Sequence, residues 1–255
     1  ATVALHYVFD SPKDKMVFDV SHQTYCHKML TGRAQAFLDE AHYRDVSGYL
    51  NPNESEHDTF TIGHTSTSVS LAAGLAKGRD LAGGKENIIA VIGDGSLSGG
   101  EALEGLDYVG EQNTNMIIVL NDNEMSIAEN HGGLYKNLAL LRETKGKAEC
   151  NMFKAWGLDY MYVDDGNDVE SLIEAFKKVK DIGHPIVVHI HTLKGKGLSF
   201  AEKNPENYHA GGPFDPTTGA YKYAFDGEDY GTMIGNYLMD KIKKDKSVIA
   251  VNAAT

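Results

Sequence analysis

Ile88-Ile89-Ala90-Val91-Ile92-Gly93-Asp94-Gly95-Ser96 is one half of the stretch that decides this fold. Met116-Ile117-Ile118-Val119-Leu120-Asn121-Asp122-Asn123-Glu124-Met125-Ser126 is the other half. Each opens on five apolar residues and closes on small or polar ones. Short runs that are apolar at every position suit strands covered on both faces. Between them, Leu103, Leu106 and Val109 recur at helical spacing, so Gly100–Val109 reads as a helix packed on the core. Strand, helix, strand is the signature of a parallel pair.

The same alternation extends outward. Met16–Val20, Asp159–Val163 and Ile186–His191 read as further strands, and Ser247–Val251 as a weaker one. Ser66–Leu81 reads as a helix with a small-residue face of Ala72, Ala73 and Ala76, where Gly74 and Gly78 would permit close packing. Asn167 is placed to cap a helix carrying Val169, Leu172, Ile173, Phe176 and Val179. Tyr230–Lys243 carries Met233, Ile234, Tyr237 and Leu238 at helical spacing, and so do Val3, Ala4, Tyr7 and Val8 at the start. Residues 198–223, rich in Gly, Pro and Asn, read as a long loop. The expected fold is α/β: a doubly wound, mostly parallel sheet with helices on both faces. In such sheets ligands bind beyond the carboxyl ends of the strands.

The 255 residues, 42% of them hydrophobic, suffice for one large α/β domain or two small ones. The formal charge of −12 disfavours nucleic acid as a partner. It leaves room for a small phosphorylated ligand, because a nest of backbone N–H groups binds phosphate locally. Cys26 and Cys150 make neither a disulfide framework nor a zinc spacing, which suits a reducing, cytoplasmic setting. No apolar run reaches the length of a membrane span, and no signal peptide is visible. The chain opens without Met, and both ends are expected to be cut from a longer polypeptide.

Gly93-Asp94-Gly95 places a carboxylate between two glycines, at a strand end and before a helix. Glycines let the backbone approach a ligand closely, and a helix N-terminus favours anions. Alone, the tripeptide reads first as a turn. The second stretch changes that. Asp94 and Asn123 stand 29 positions apart, which one helix and one strand fill, so both side chains emerge at the same sheet edge. Asp carboxylate, Asn amide oxygen and a backbone carbonyl are hard oxygen donors suited to Mg²⁺. An ion with so few protein ligands completes its octahedron with phosphate oxygens and water.

This pair of motifs resembles the thiamine-diphosphate (ThDP) signature of the transketolase superfamily. There the Asp, the second Asn and the carbonyl two residues later hold Mg²⁺ against the cofactor diphosphate. The matching positions are Asp94, Asn123 and Met125. A longer likeness, over essentially the whole chain, is to the 1-deoxy-D-xylulose-5-phosphate synthase family. It rests on Phe18–Lys28 with Leu30-Thr31-Gly32-Arg33, on Glu54–Asp58, on Gly63–Ser68, on Asn121–Ile127 and on Thr192–Gly197 with Ala201-Glu202-Lys203. The resemblance implies joining pyruvate to D-glyceraldehyde 3-phosphate with loss of CO₂, in a homodimer, to feed isoprenoid, thiamine and pyridoxal synthesis. It also implies that residues 1–255 are the diphosphate-binding domain, with pyrimidine-binding and C-terminal domains to follow. The pyrimidine-binding domain would bring the glutamate that activates the cofactor's aminopyrimidine.

Further roles follow from the resemblance. His22 would assist proton transfer at the cofactor's reactive end, and His209 would stabilise the pyruvate adduct; a structural histidine is the competing reading for each. Gly63, His64, Thr65, Gly93, Gly95 and Ser96 would line the cofactor pocket, with Asn123, Met125, Ile127 and Lys194. For Ile127 the alternative is core packing, and for Lys194 a solvated loop. His27, His189 and His191 read as structural. The chain also departs from the family pattern. Ser21 stands where the family often has Gly, and Thr65 where it has Ser. The connection from Asn130 to Tyr160 is short, and the segment around His209 is off-pattern. Two rival readings remain: a transketolase or its N-terminal subunit, and a non-catalytic ThDP-binding module.

Overall fold

A computed structural model describes residues 1–223, 227 and 229–251. They fall into two compact units, residues 1–209 and 210–255. The first unit carries five strands: β1 (Lys15–Phe18), β2 (Ile88–Gly93), β3 (Ile117–Asp122), β4 (Asp159–Val163) and β5 (Ile186–His191). They form one sheet in the order β1-β2-β3-β5-β4, and every pairing is parallel. Its principal helices are α1 (Thr2–Val8), α2 (Ser68–Leu81), α3 (Gly100–Gly110), α4 (Gly133–Glu143) and α5 (Val169–Val179).

The apolar runs are continuous because both faces of the sheet are covered. Side chains alternate across a strand. Ile88, Ala90 and Ile92 of β2 therefore enter one core with residues of α2, α3 and α4. Ile89 and Val91 enter the other, with Leu5 of α1 and Leu172 and Phe176 of α5. The expected doubly wound α/β architecture is what forms.

Several local expectations are corrected. β1 ends at Phe18 rather than Val20, because Val20 and Ser21 adopt left-handed φ values of 59° and 71°. The cap of α5 is Asp168, whose carboxylate accepts from Ser171 N at 2.8 Å, while Asn167 Oδ1 accepts from Leu193 N at 2.8 Å. Gly74 and Gly78 face open space, with no atom within 4 Å of a would-be Cβ. A short helix, Ser199–Lys203, interrupts the expected loop.

The second unit carries α6 (Tyr230–Lys244), capped by Asp229, which accepts from Thr232 N at 2.8 Å. Ser247–Val251 is not a strand. Ile249 and Val251 are exposed, and among the described residues no strand pairs with them. Both cysteines are free. Among the described residues no helix is long and apolar enough to cross a membrane.

Candidate functional site

Four loops meet at the carboxyl edge of the sheet. β2 and β3 are adjacent, with Gly93 in register with Asn121, so the segments that follow leave side by side. The second approach is close. A Cβ on Gly95 would stand 2.4 Å from Ser126 Oγ, so glycine is needed there for the two loops to meet. Asp94 is 2% exposed. Its Oδ1 accepts from Gly95 N at 2.9 Å and its Oδ2 from Asn130 Nδ2 at 2.8 Å. Burial raises its pKa, and the charge of Asp122 raises it further. A carboxylate so poorly compensated is one that a cation would stabilise.

Asn123 Oδ1 accepts from Met125 N at 3.2 Å and retains a second lone pair. Among the described residues no three His, Cys, Asp or Glu side chains are grouped to hold a metal. The resemblance assigns to an ion at Asp94 two neutral oxygens besides that carboxylate, the amide of Asn123 and the carbonyl of Met125. That donor set suits a hard ion carrying a phosphate ligand of its own.

Lys194 is not a solvated loop lysine. Its ammonium donates to the carbonyl of Ser126, and burial lowers its pKa against the raising charges of Asp94 and Glu206. Ile127 is 52% exposed, so the core reading of it fails. His22, in the loop after β1, is exposed at its edge. The protein around its ring lowers its pKa despite the nearby Asp19. His209 lies close enough to feel the charges of Lys194 and His22, which add to desolvation in lowering its pKa. Gly63, His64 and Thr65 are exposed on the segment that leads into α2. A cavity of about 750 Å³ opens beside Asp94 and Met125, toward Tyr135, Lys136, Arg142 and Lys203. Of the expected site residues, only Asp94 and Met125 line it; His22, Gly63, His64, Thr65, Asn123, Lys194 and the rest lie outside its walls.

Asp19, Asn130, Asp122 and Arg142 shape this edge, and none of them was assigned a role from the sequence. Asp19, buried after β1, accepts from Ser66 N and from Ser68 N, each at 2.9 Å, and so caps α2 from 47 and 49 positions away. Asn130 bridges Asp94 and Ser126. Asp122, wholly buried, accepts from Arg142 and from His189. Burial alone would raise Asp122, but the hydrogen bond of His189 and the charges of His189 and Arg142 hold it low. An Asx or Arg in a strand–loop–helix pattern does not announce partners so far away.

The other histidines fall outside this edge or behind it. His27 is buried against Asp58 at 3.2 Å and His6 at 2.9 Å. His189 is buried between Asp122 and the hydroxyl of Tyr160.

Ser21 explains its own departure from glycine. Its left-handed backbone is costly for a residue with a side chain. In return its Oγ donates to the Ile62 carbonyl at 3.0 Å and accepts from Leu50 N at 3.1 Å. Ser21→Gly is therefore expected to lose stability. Relief of about 1 kcal/mol of strain is outweighed by two buried backbone groups left unpaired at about 1–3 kcal/mol each. Thermal denaturation checks the sign: a higher melting temperature would show that strain dominates.

The family model described as 1-deoxy-D-xylulose-5-phosphate synthase matches residues 1–151 and 140–192. The two matches meet at 140–151, within the short connection noted above. The chain is 41% identical over 290 residues to the 1-deoxy-D-xylulose-5-phosphate synthase of Caldanaerobacter subterraneus subsp. tengcongensis, covering 99% of this chain and 46% of that protein. It is 40% identical to the synthase of Symbiobacterium thermophilum, with 99% and 44% covered. It is also 40% identical to synthase 2 of Geobacter sulfurreducens, with 99% and 46% covered. The chain spans just under half the length of these relatives. On the family match and these identities, the chain belongs to the 1-deoxy-D-xylulose-5-phosphate synthase family, as its N-terminal part.

Proposed function

We propose that this chain is the diphosphate-binding part of a ThDP- and Mg²⁺-dependent synthase. The reaction condenses pyruvate with D-glyceraldehyde 3-phosphate, with loss of CO₂, to 1-deoxy-D-xylulose 5-phosphate, an isoprenoid precursor. The observation that carries this reading is the juxtaposition of Asp94 with the Asn123 loop at the ends of two adjacent parallel strands.

Asp94, Asn123 Oδ1 and the Met125 carbonyl would hold Mg²⁺. Gly93, Gly95 and Ser96, at the start of a helical turn, would offer backbone N–H groups to the diphosphate. Gly63, His64 and Thr65 would flank it, and Ile127 would pack against the cofactor's ring. Lys194, already partly desolvated, would meet an anionic group of cofactor or substrate. Bound ThDP supplies the carbanion chemistry. His22 would take and return a proton at its ring nitrogens, and His209 would steady the bound pyruvate. The remaining half of the relatives' length would supply the pyrimidine-binding and C-terminal domains, and the protein would act as a homodimer.

Turnover of pyruvate and D-glyceraldehyde 3-phosphate by the intact protein tests the reading. A preference for a ketose phosphate donor would instead identify a transketolase, and absence of any turnover a binding module. Residues 1–255 by themselves are expected to show no turnover and only weak ThDP binding, because the aminopyrimidine lacks its pocket and its activating glutamate. Measurable product from this chain alone would refute that division of labour.

A further inference from the structure

We propose that Arg142 is a positioning residue, which clamps the loop carrying Asn123 by both of its shoulders. Asn123 is flanked by two carboxylates, Asp122 and Glu124. Arg142, on α4, reaches both. One nitrogen of its guanidinium meets Asp122 Oδ2 at 2.5 Å, and the other meets Glu124 Oε2 at 3.3 Å. β5 supports the same two carboxylates from another direction. His189 Nε2 meets Asp122 Oδ2 at 2.9 Å, and His191 Nε2 meets Glu124 Oε1 at 2.9 Å. These two histidines are two residues apart on one strand, so they share a face. The hydroxyl of Tyr160 meets His189 Nδ1 at 2.7 Å and so orients the ring whose Nε2 faces Asp122.

The clamp holds a backbone that would not rest there alone. Glu124 lies at a left-handed φ of 68°, and its N donates to Asp122 Oδ1 at 3.0 Å. Among the described residues the Asn123 side chain takes part in one hydrogen bond, the local one from Met125 N. Releasing Glu124 lets the loop relax toward ordinary φ, and that rotation moves the Asn123 amide and the Met125 carbonyl together. Arginine suits this task because its planar fork addresses two carboxylates at once, whereas a lysine ammonium is a single point. The side chain of Arg142 is only 15% exposed.

This proposal rests on the reading that Asp94, Asn123 and Met125 hold the cation. Its test is a Mg²⁺ titration of the intact protein in the presence of ThDP, followed by calorimetry, at a temperature where circular dichroism shows each variant folded. Groups outside the first ligands of a metal typically change its affinity about 10- to 100-fold. Arg142→Met should therefore weaken Mg²⁺ binding by about 10-fold or more, and Arg142→Lys should restore only part of it. Glu124→Gln releases the exposed shoulder alone and should weaken binding measurably, by less than Arg142→Met does. It carries the test should Arg142→Met fail to fold. Full restoration by lysine would reduce the clamp to a charge effect and overturn it. So would native affinity in both Arg142→Met and Glu124→Gln while Asp94→Ala binds nothing. If Asp94→Ala itself binds Mg²⁺ and ThDP normally, the site reading has failed rather than the clamp alone.

Discussion

Asp94→Ala is expected to abolish Mg²⁺-dependent ThDP binding while leaving the protein folded. The loss should exceed about 100-fold, above the range seen for groups that only support a metal ligand. The fold should survive because this carboxylate contributes little to it. Asp94 is buried, and desolvation and Asp122 raise its pKa, so its charged form is disfavoured without a cation. A buried charge of this kind is weak support for stability. Alanine gives up the bond from Asn130, but Asn130 keeps its partner Ser126. Calorimetry of ThDP binding with and without Mg²⁺, beside a melting curve, separates the two effects. Unchanged ThDP affinity in the folded variant would refute the metal assignment.

His22→Asn, in the intact enzyme, is expected to lower turnover by 10²–10⁴-fold, on the order of 3–5 kcal/mol of barrier, with ThDP affinity within a few-fold. His22 stands in the loop after β1, exposed at the ligand edge, with His209 and Lys194 near enough to interact. Desolvation lowers its pKa against the raising charge of Asp19, which favours the neutral imidazole that can accept a proton. A scaffolding histidine would behave differently, because its loss would lower the melting temperature and spare the rate per folded molecule. Measuring both on one preparation decides between them. Early melting with normal turnover of the folded fraction would remove His22 from the catalytic machinery.

What the sequence determined by itself is what periodicity and motif spacing encode. The runs at Ile88, Ile117 and Ile186 become the three central strands of a parallel sheet, because a strand covered on both faces needs apolar residues at nearly every position, while β1 and the partly exposed β4 lie at its edges. The 29 positions between Asp94 and Asn123 were also enough to place both at one edge, since a strand–helix–strand unit returns the chain to the same side of the sheet. Boundaries were less legible. The end of β1 shifted because Val20 and Ser21 turn left-handed, and Ser247–Val251 found no neighbour to make it a strand. Asp168, not Asn167, caps α5 because Asn167 is taken by the β5 loop. Only the tertiary structure decided who supports the site. Asp19 caps a helix 47 positions on, Arg142 grips carboxylates 18 and 20 positions back, and His189 meets Asp122 across 67. The physical reason is that secondary structure follows from neighbours three or four positions away. A buried charge must find whichever partner the fold brings within about 3 Å, and no local pattern names that partner.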